Sequence, residues 1–153
     1  MHSIATIMLL IVAAIHVLPL MGAFGEKHLS GLYGISIADP NLAILMRHRA
    51  VLFGLLGAFL FVAALIPPLR LAGLVAGAVS VGSFLLLAWH VGDYNDHLRK
   101  VFATDVIAAM CLACGLLAHL ANGSIGTASV LPANAPSVVV RAIAPYVMSR
   151  QGL

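Results

Sequence analysis

Residues 39–54 read DPNLAILMRHRAVLFG, and the rest of the chain has to be arranged around them. Asp39 is placed to cap a helix whose first residue is Pro40, because proline's missing N–H is not needed there and its φ is preset. The helix then runs through an unbroken apolar stretch to Ile66, where Pro67-Pro68 stops it. Within it lies the concentrated basic cluster of the chain, Arg47-His48-Arg49. At a rise of about 1.5 Å per residue, Arg47 is about 29 Å from Ile66, close to one hydrocarbon thickness. The triplet therefore belongs at a membrane–water boundary.

Composition points the same way. The chain has 153 residues, 62% hydrophobic and 8% charged, with a mean hydropathy of +1.09. A soluble domain carries about 25% charged residues, so the class is integral membrane protein. A formal charge of +3 and a pI near 9.2 suit contact with anionic lipid surfaces. No basic block is long enough for a nucleic-acid tail, and nucleic acid is not expected as a partner. Motifs of soluble chemistry are absent: no Walker loop, GxSxG or HExxH, and no GxGxxG after a strand.

The expected architecture is an all-α, integral membrane four-helix up-down bundle over residues 1–121, with spans at about 4–22, 42–66, 71–90 and 101–121. Residues 122–153, rich in Ser, Gly, Ala and Pro, read as a flexible C-terminal tail. The first span begins MHSIAT, without Lys or Arg, and is longer than a signal h-region of about 7–15 residues, so it reads as a retained helix. Pro19 should kink it. The centre of the first loop, LSGLYGISI, is apolar with spaced glycines and reads as a short interfacial or re-entrant segment. Gly73, Gly77 and Gly82 give the third span a texture suited to close helix packing in lipid. Trp89 and Tyr94 fit an interfacial aromatic belt. The positive-inside rule, applied to Lys27, Arg47, Arg49, Arg99 and Lys100, favours loops one and three in the cytoplasm and both termini outside.

Odd spans end, and even spans begin, on one side of the membrane. Glu26, Arg47, His48, Arg49, His90 and Asp93 gather there, with His16 and Asp105 slightly deeper. These are the candidate ligand-binding residues, and no catalytic residue is assigned. Arg47 and Arg49 have an ordinary reading as headgroup-snorkelling topology anchors. Two positions apart on a helix, they point about 200° from each other, so one of them faces the bundle. An inward Arg needs a carboxylate from Asp105, Asp93 or Glu26, or else offers its bidentate fork to a phosphate or carboxylate ligand. Asp105 lies about 24 Å before Ala121 by helical rise. It reads either as a plain N-cap of the fourth helix or as an intramembrane carboxylate paired to Arg47 or Arg49.

His90, Asp93 and His97 would share a face able to hold a metal only if the third helix continued past Trp89, and Gly92 and Asn95 argue against that. No metal and no cofactor is expected. Each span or its edge carries a histidine (His16, His48, His90 and His119), and facing histidines in four-helix membrane bundles hold haem b. Cys111-Leu-Ala-Cys114 resembles the motif of four-helix quinone-linked thiol oxidoreductases of the vitamin K epoxide reductase type. Those enzymes place it at a helix end with a second cysteine pair, whereas here it is mid-span and alone. Small residues in a packed helix are its plain reading.

The run HVLPL, GLYGI, DPNLAILMRHRAVLFG and LAWHVGDYN resembles a group of small bacterial four-span inner-membrane proteins without an established activity. The resemblance covers roughly the first 120 residues. Some of that group carry the label phosphopantetheine adenylyltransferase, a soluble α/β enzyme with an HxGH motif. Here His48 is followed by Arg49-Ala50-Val51, so that motif is not met. In span count and size the chain is also similar to DoxX-type four-helix proteins. The expected function is non-enzymatic: binding an anionic lipid headgroup or similar amphiphile through Arg47 and Arg49, or serving as a subunit. A membrane redox protein using haem b or quinone is the alternative. Expected partners are membrane lipid, an amphiphilic ligand, and a second copy or a larger membrane complex. The expected location is the bacterial inner membrane.

Overall fold

The computed structural model describes the backbone of residues 2–128 and the side chains of residues 4–121. Among the described residues all regular structure is helical: α1 (His2–Val17), a 3-10 segment (Leu18–Phe24), α2 (Glu26–Tyr33), α3 (Pro40–Leu65), a 3-10 turn (Pro67–Leu69), α4 (Arg70–Val91) and α5 (Asp96–Ala128). Four stretches are long and apolar enough to cross a membrane: Ile4–Phe24, Pro40–Leu65, Pro67–Val91 and Asp96–Ala121. The protein is a multi-pass membrane protein whose spans form an all-α four-helix up-down bundle.

The chain punctuation behaves as local chemistry requires. The Asp39 carboxylate accepts from the Leu42 N–H at 2.9 Å, with Pro40 in the first turn, so α3 starts where a side chain can satisfy its orphan donors. Ile66 leaves helical geometry just before Pro67. The α4 helix stops at Gly92, whose φ of 62° is left-handed and whose N–H donates to the Ala88 carbonyl at 3.1 Å. Asp93 follows with φ 45°.

Three features differ from the sequence expectation. Pro19 does not merely kink the first helix: α1 ends at Val17 and the span finishes as a 3-10 segment, which tightens the last turn and relieves the clash of the proline ring with the preceding turn. The apolar loop contains a full short helix, α2, closed by Gly34 at φ 64° with its N–H on the Ser30 carbonyl at 2.8 Å. The last span starts at Asp96 rather than 101, because the Asn95 side chain accepts from the Leu98 N–H at 2.9 Å and caps α5. Asp105 is therefore an interior residue of α5, and its reading as an N-cap falls. Residues 122–128 continue α5, and the remainder of the expected tail, 129–153, lies outside the described residues.

All four spans contribute to one core: Leu9, Val12 and Ala13 from α1, Leu60 and Ala64 from α3, Leu74 and Val81 from α4, and Ala108 and Leu112 from α5. In lipid there is little hydrophobic gain from bringing helices together, so the contacts must be won by close van der Waals fit. Glycines supply it. A Cβ on Gly57 would lie 2.8 Å from Val17 Cγ2 and 3.1 Å from the Ala13 carbonyl oxygen, so α1 and α3 meet nearly backbone to backbone. A second, smaller cluster holds α2 down: Leu29, Tyr33 and Ile37 pack with Ala43, and Leu98 and Val101 of α5 lie against them.

Gly57→Ala should lower the melting temperature of the detergent-purified protein, at a cost of about 1–3 kcal/mol for forcing two helix backbones apart. Gly82→Ala, whose added methyl meets nothing within 4 Å, should be neutral or slightly stabilising. Equal losses in both would rule out the close-contact account.

Candidate functional site

Arg47 and Arg49 do part company. Arg47 lies on the outer side of α3, its Nη2 4.0 Å from Glu26 Oε1, with both side chains about half exposed. Such a pair contributes little. Two positions apart on α3, Arg47 and Arg49 stand on different sides of the helix, and of the two only Arg49 lines the groove between α3 and α4. His48, between them, is exposed, as are His90 and Asp93 at the α4–α5 corner. With α4 ending at Val91, His90, Asp93 and His97 do not share a helix face. Among the described residues no cluster of three or more His, Cys, Asp or Glu is placed to hold a metal. Cys111 is half-buried and Cys114 exposed, and both are free thiols.

Arg49 points the other way, into the bundle. Its guanidinium carbon stands 5.2 Å from the ring centre of Phe53, 5.6 Å from Tyr33 and 5.8 Å from Phe84. Phe53 is one turn along the same helix, whereas Tyr33 comes from α2 and Phe84 from α4. Three ring faces provide an electrostatic environment for a charge that cannot be lost, since a guanidinium stays protonated in proteins. Among the described residues no carboxylate oxygen lies within 4 Å of it, and its N–H groups make no hydrogen bond to protein. The donor fork is thus free to take an acceptor.

Two spaces meet at this residue. On one side Arg49 closes the polar end of a groove of about 600 Å³ between α3, α4 and the start of α5. Its walls are mostly apolar (Leu52, Leu56, Leu87, Val91, Leu98), with hydroxyls from Ser80, Ser83 and Tyr94. Leu52, Leu87 and Val91 are exposed on the bundle surface, where lipid would lie. The Ser83 hydroxyl donates to the Ser80 carbonyl at 2.9 Å, the usual i−3 back-bond, which leaves its oxygen lone pairs available.

On the other side is a void of about 30 Å³ lined by His16, Tyr33, Arg49, Phe53 and Asp105, with Ile15, Pro19 and Val101. His16 is 3% exposed. Its Nδ1 is 2.9 Å from the Val12 carbonyl, which can only accept, so Nδ1 carries a proton there and Nε2 is the ring nitrogen left for another partner. Its ring centre is 5.7 Å from that of Phe53. The structure thus brings together Arg49, Asp105 and His16 from the candidates, and leaves Arg47, Glu26, His48, His90 and Asp93 outside.

Tyr33, Phe84, Ser80, Ser83 and Tyr94 were not among the sequence candidates. The Phe53 contact has a sequence signature, an aromatic four positions after an arginine on one helix. The others depend on which helices become neighbours. One residue ties this arrangement together: Asn95, besides capping α5, donates through Nδ2 to the Tyr33 carbonyl at 2.8 Å. His97 adds a second tie from α5 to α2, Nδ1 to the Gly31 carbonyl at 3.1 Å.

The fold and site describe a multi-pass membrane bundle with an arginine-headed, lipid-facing groove. Searches with the chain found no matching family model, no matching curated protein and no matching solved structure.

Asn95→Ala should cost about 1–2 kcal/mol through the lost cap and in addition loosen α2, read as faster protease cleavage within residues 25–38. Asn95→Asp keeps an acceptor for the cap but loses the donor to Tyr33, and should restore the melting temperature without restoring protection of α2. Full protection in both variants would show that Asn95 does not hold α2.

Proposed function

We propose that this is a binding protein of the bacterial inner membrane that takes an acyl-chained amphiphile with an anionic phosphate or carboxylate head. In this reading Arg49 grips the head and the α3–α4 groove holds the chain. One observation carries it: a guanidinium without a carboxylate partner, braced by three aromatic rings, sits at the polar end of an apolar groove open to lipid. Arginine's planar fork matches a phosphate or carboxylate in a bidentate manner. The Tyr94 hydroxyl stands on the same groove to donate to a remaining head oxygen. A volume of about 600 Å³ is in the range of sites that bury small ligands. Membership of the small four-span inner-membrane group that DPNLAILMRHRAVLFG resembles belongs to the same proposal.

The redox alternative has less to stand on. His16 is buried and back-bonded to its own helix, whereas His48 and His90 are exposed, and neither lines the void beside His16.

Native mass spectrometry of the protein, purified in a neutral detergent, should show an anionic amphiphile bound to the wild type. Arg49→Ala should weaken binding of a phosphatidylglycerol probe by about tenfold or more, the worth of hydrogen bonds to a charged group. Arg47→Ala should leave it within about twofold, and millimolar inorganic phosphate should not displace it. Equal losses in the two variants would overturn the assignment to Arg49, and displacement by phosphate would make the ligand a soluble anion instead.

A further inference from the structure

We propose that Asp105 and the anionic ligand compete for the Arg49 guanidinium, so that binding in the α3–α4 groove is coupled to uptake of a proton by Asp105. This rests on the groove reading above and adds its regulation.

The geometry places Arg49 on both spaces at once: it lines the groove and also the small void that Asp105 and His16 line. Asp105 is a half-buried carboxyl inside a membrane span with no hydrogen bond and no ion pair within 4 Å among the described residues. Arg49 is the cation that lines the same void as Asp105. Every element packed around the carboxyl can be accounted for. His16 faces it from α1, Tyr33 from α2 and Arg49 from α3. His97 and Lys100, from its own helix, line an adjoining groove that Asp105 also borders. No α4 residue lines either space.

A single guanidinium among apolar walls balances one negative charge well and two poorly, because the second anion is left uncompensated in a medium of low dielectric. When the Asp105 carboxylate is ionised it supplies that one charge from the void side. When it holds a proton, Arg49 is free to face the groove. An entering anion therefore favours the protonated carboxyl, and by reciprocity protonation favours the anion. The void of about 30 Å³, which Asp105 and His16 both line, exceeds the roughly 10–15 Å³ a water needs. The sign follows directly: raising the pH ionises Asp105 and weakens anion binding. His97 and Lys100 border the adjoining groove as well, so the effect is assigned to Asp105 by substitution.

The test uses phosphatidylglycerol with a fluorophore on its acyl chain, a phosphodiester of constant charge, bound to the full-length protein in neutral micelles. Binding is followed by polarisation from about pH 5 to about pH 8. Wild-type affinity should fall by about fivefold or more across that range, a typical coupling between sites. Asp105→Asn should bind at least as tightly as wild type at low pH and lose the fall. Asp105→Glu and His97→Gln should keep it. A wild-type affinity that does not change with pH, or an Asp105→Asn variant that keeps the wild-type fall, overturns the coupling while leaving the groove reading intact. Absence of wild-type binding at any pH defeats both. Should Asp105→Asn not fold, calorimetry of wild type and His97→Gln in two buffers of different ionisation enthalpy decides: proton uptake on binding in both supports the coupling, and none overturns it.

Discussion

A guanidinium inside a membrane bundle has to be accommodated by whatever surrounds it, because it cannot shed its proton. For Arg49 the accommodation is aromatic: Phe53, Tyr33 and Phe84 stand 5.2–5.8 Å from its charged carbon. Rings stabilise a cation without consuming its hydrogen-bond donors. A buried carboxylate in direct contact would have neutralised the residue and closed the site. Much of the remaining architecture can be read as the means of bringing three rings from three helices to one point.

The short helix α2 is central to that. An unpaired eight-residue helix has no stability of its own, so Tyr33 is only as well placed as the contacts holding α2. Leu29 and Tyr33 pack into the satellite core with Ala43, and Asn95 and His97 bond to carbonyls at its C-terminal end. The same Asn95 starts α5, so the position of Asp105 along the last helix and the position of Tyr33 share one anchor. Phe84 is set by α4, which packs closely on α3 at Gly73, where an added Cβ would lie 2.6 Å from Ala63 Cβ. Small residues far from the polar end thereby fix the width of the groove that Arg49 closes.

Charge distribution then separates anchor from site. Arg47 with Glu26, and Arg99 with Asp96 at 3.2 Å, are exposed pairs of ordinary surface type. Arg49, Asp105 and His16 are drawn inward to one void, and they come from α3, α5 and α1. A polar interior shared by three spans is costly in lipid, and such groups are usually retained for function.

The sequence by itself determined the class, the four apolar spans, the Asp39-Pro40 start and Pro67-Pro68 stop of α3, and the opposition of Arg47 and Arg49. All of these rest on local rules: hydropathy over a window, capping chemistry and the helical period. It also nominated Arg49, Asp105 and His16, as costly residues within apolar runs. Tertiary structure alone decided which arginine faces inward, that Asp105 is interior to α5, and that Tyr33 and Phe84 complete the environment of Arg49. Those facts depend on helix rotation and on neighbours distant in the chain. Rotation is settled by close contacts such as Gly57 against the Ala13 carbonyl. A span apolar on every side carries no periodic signal to announce which face will be buried.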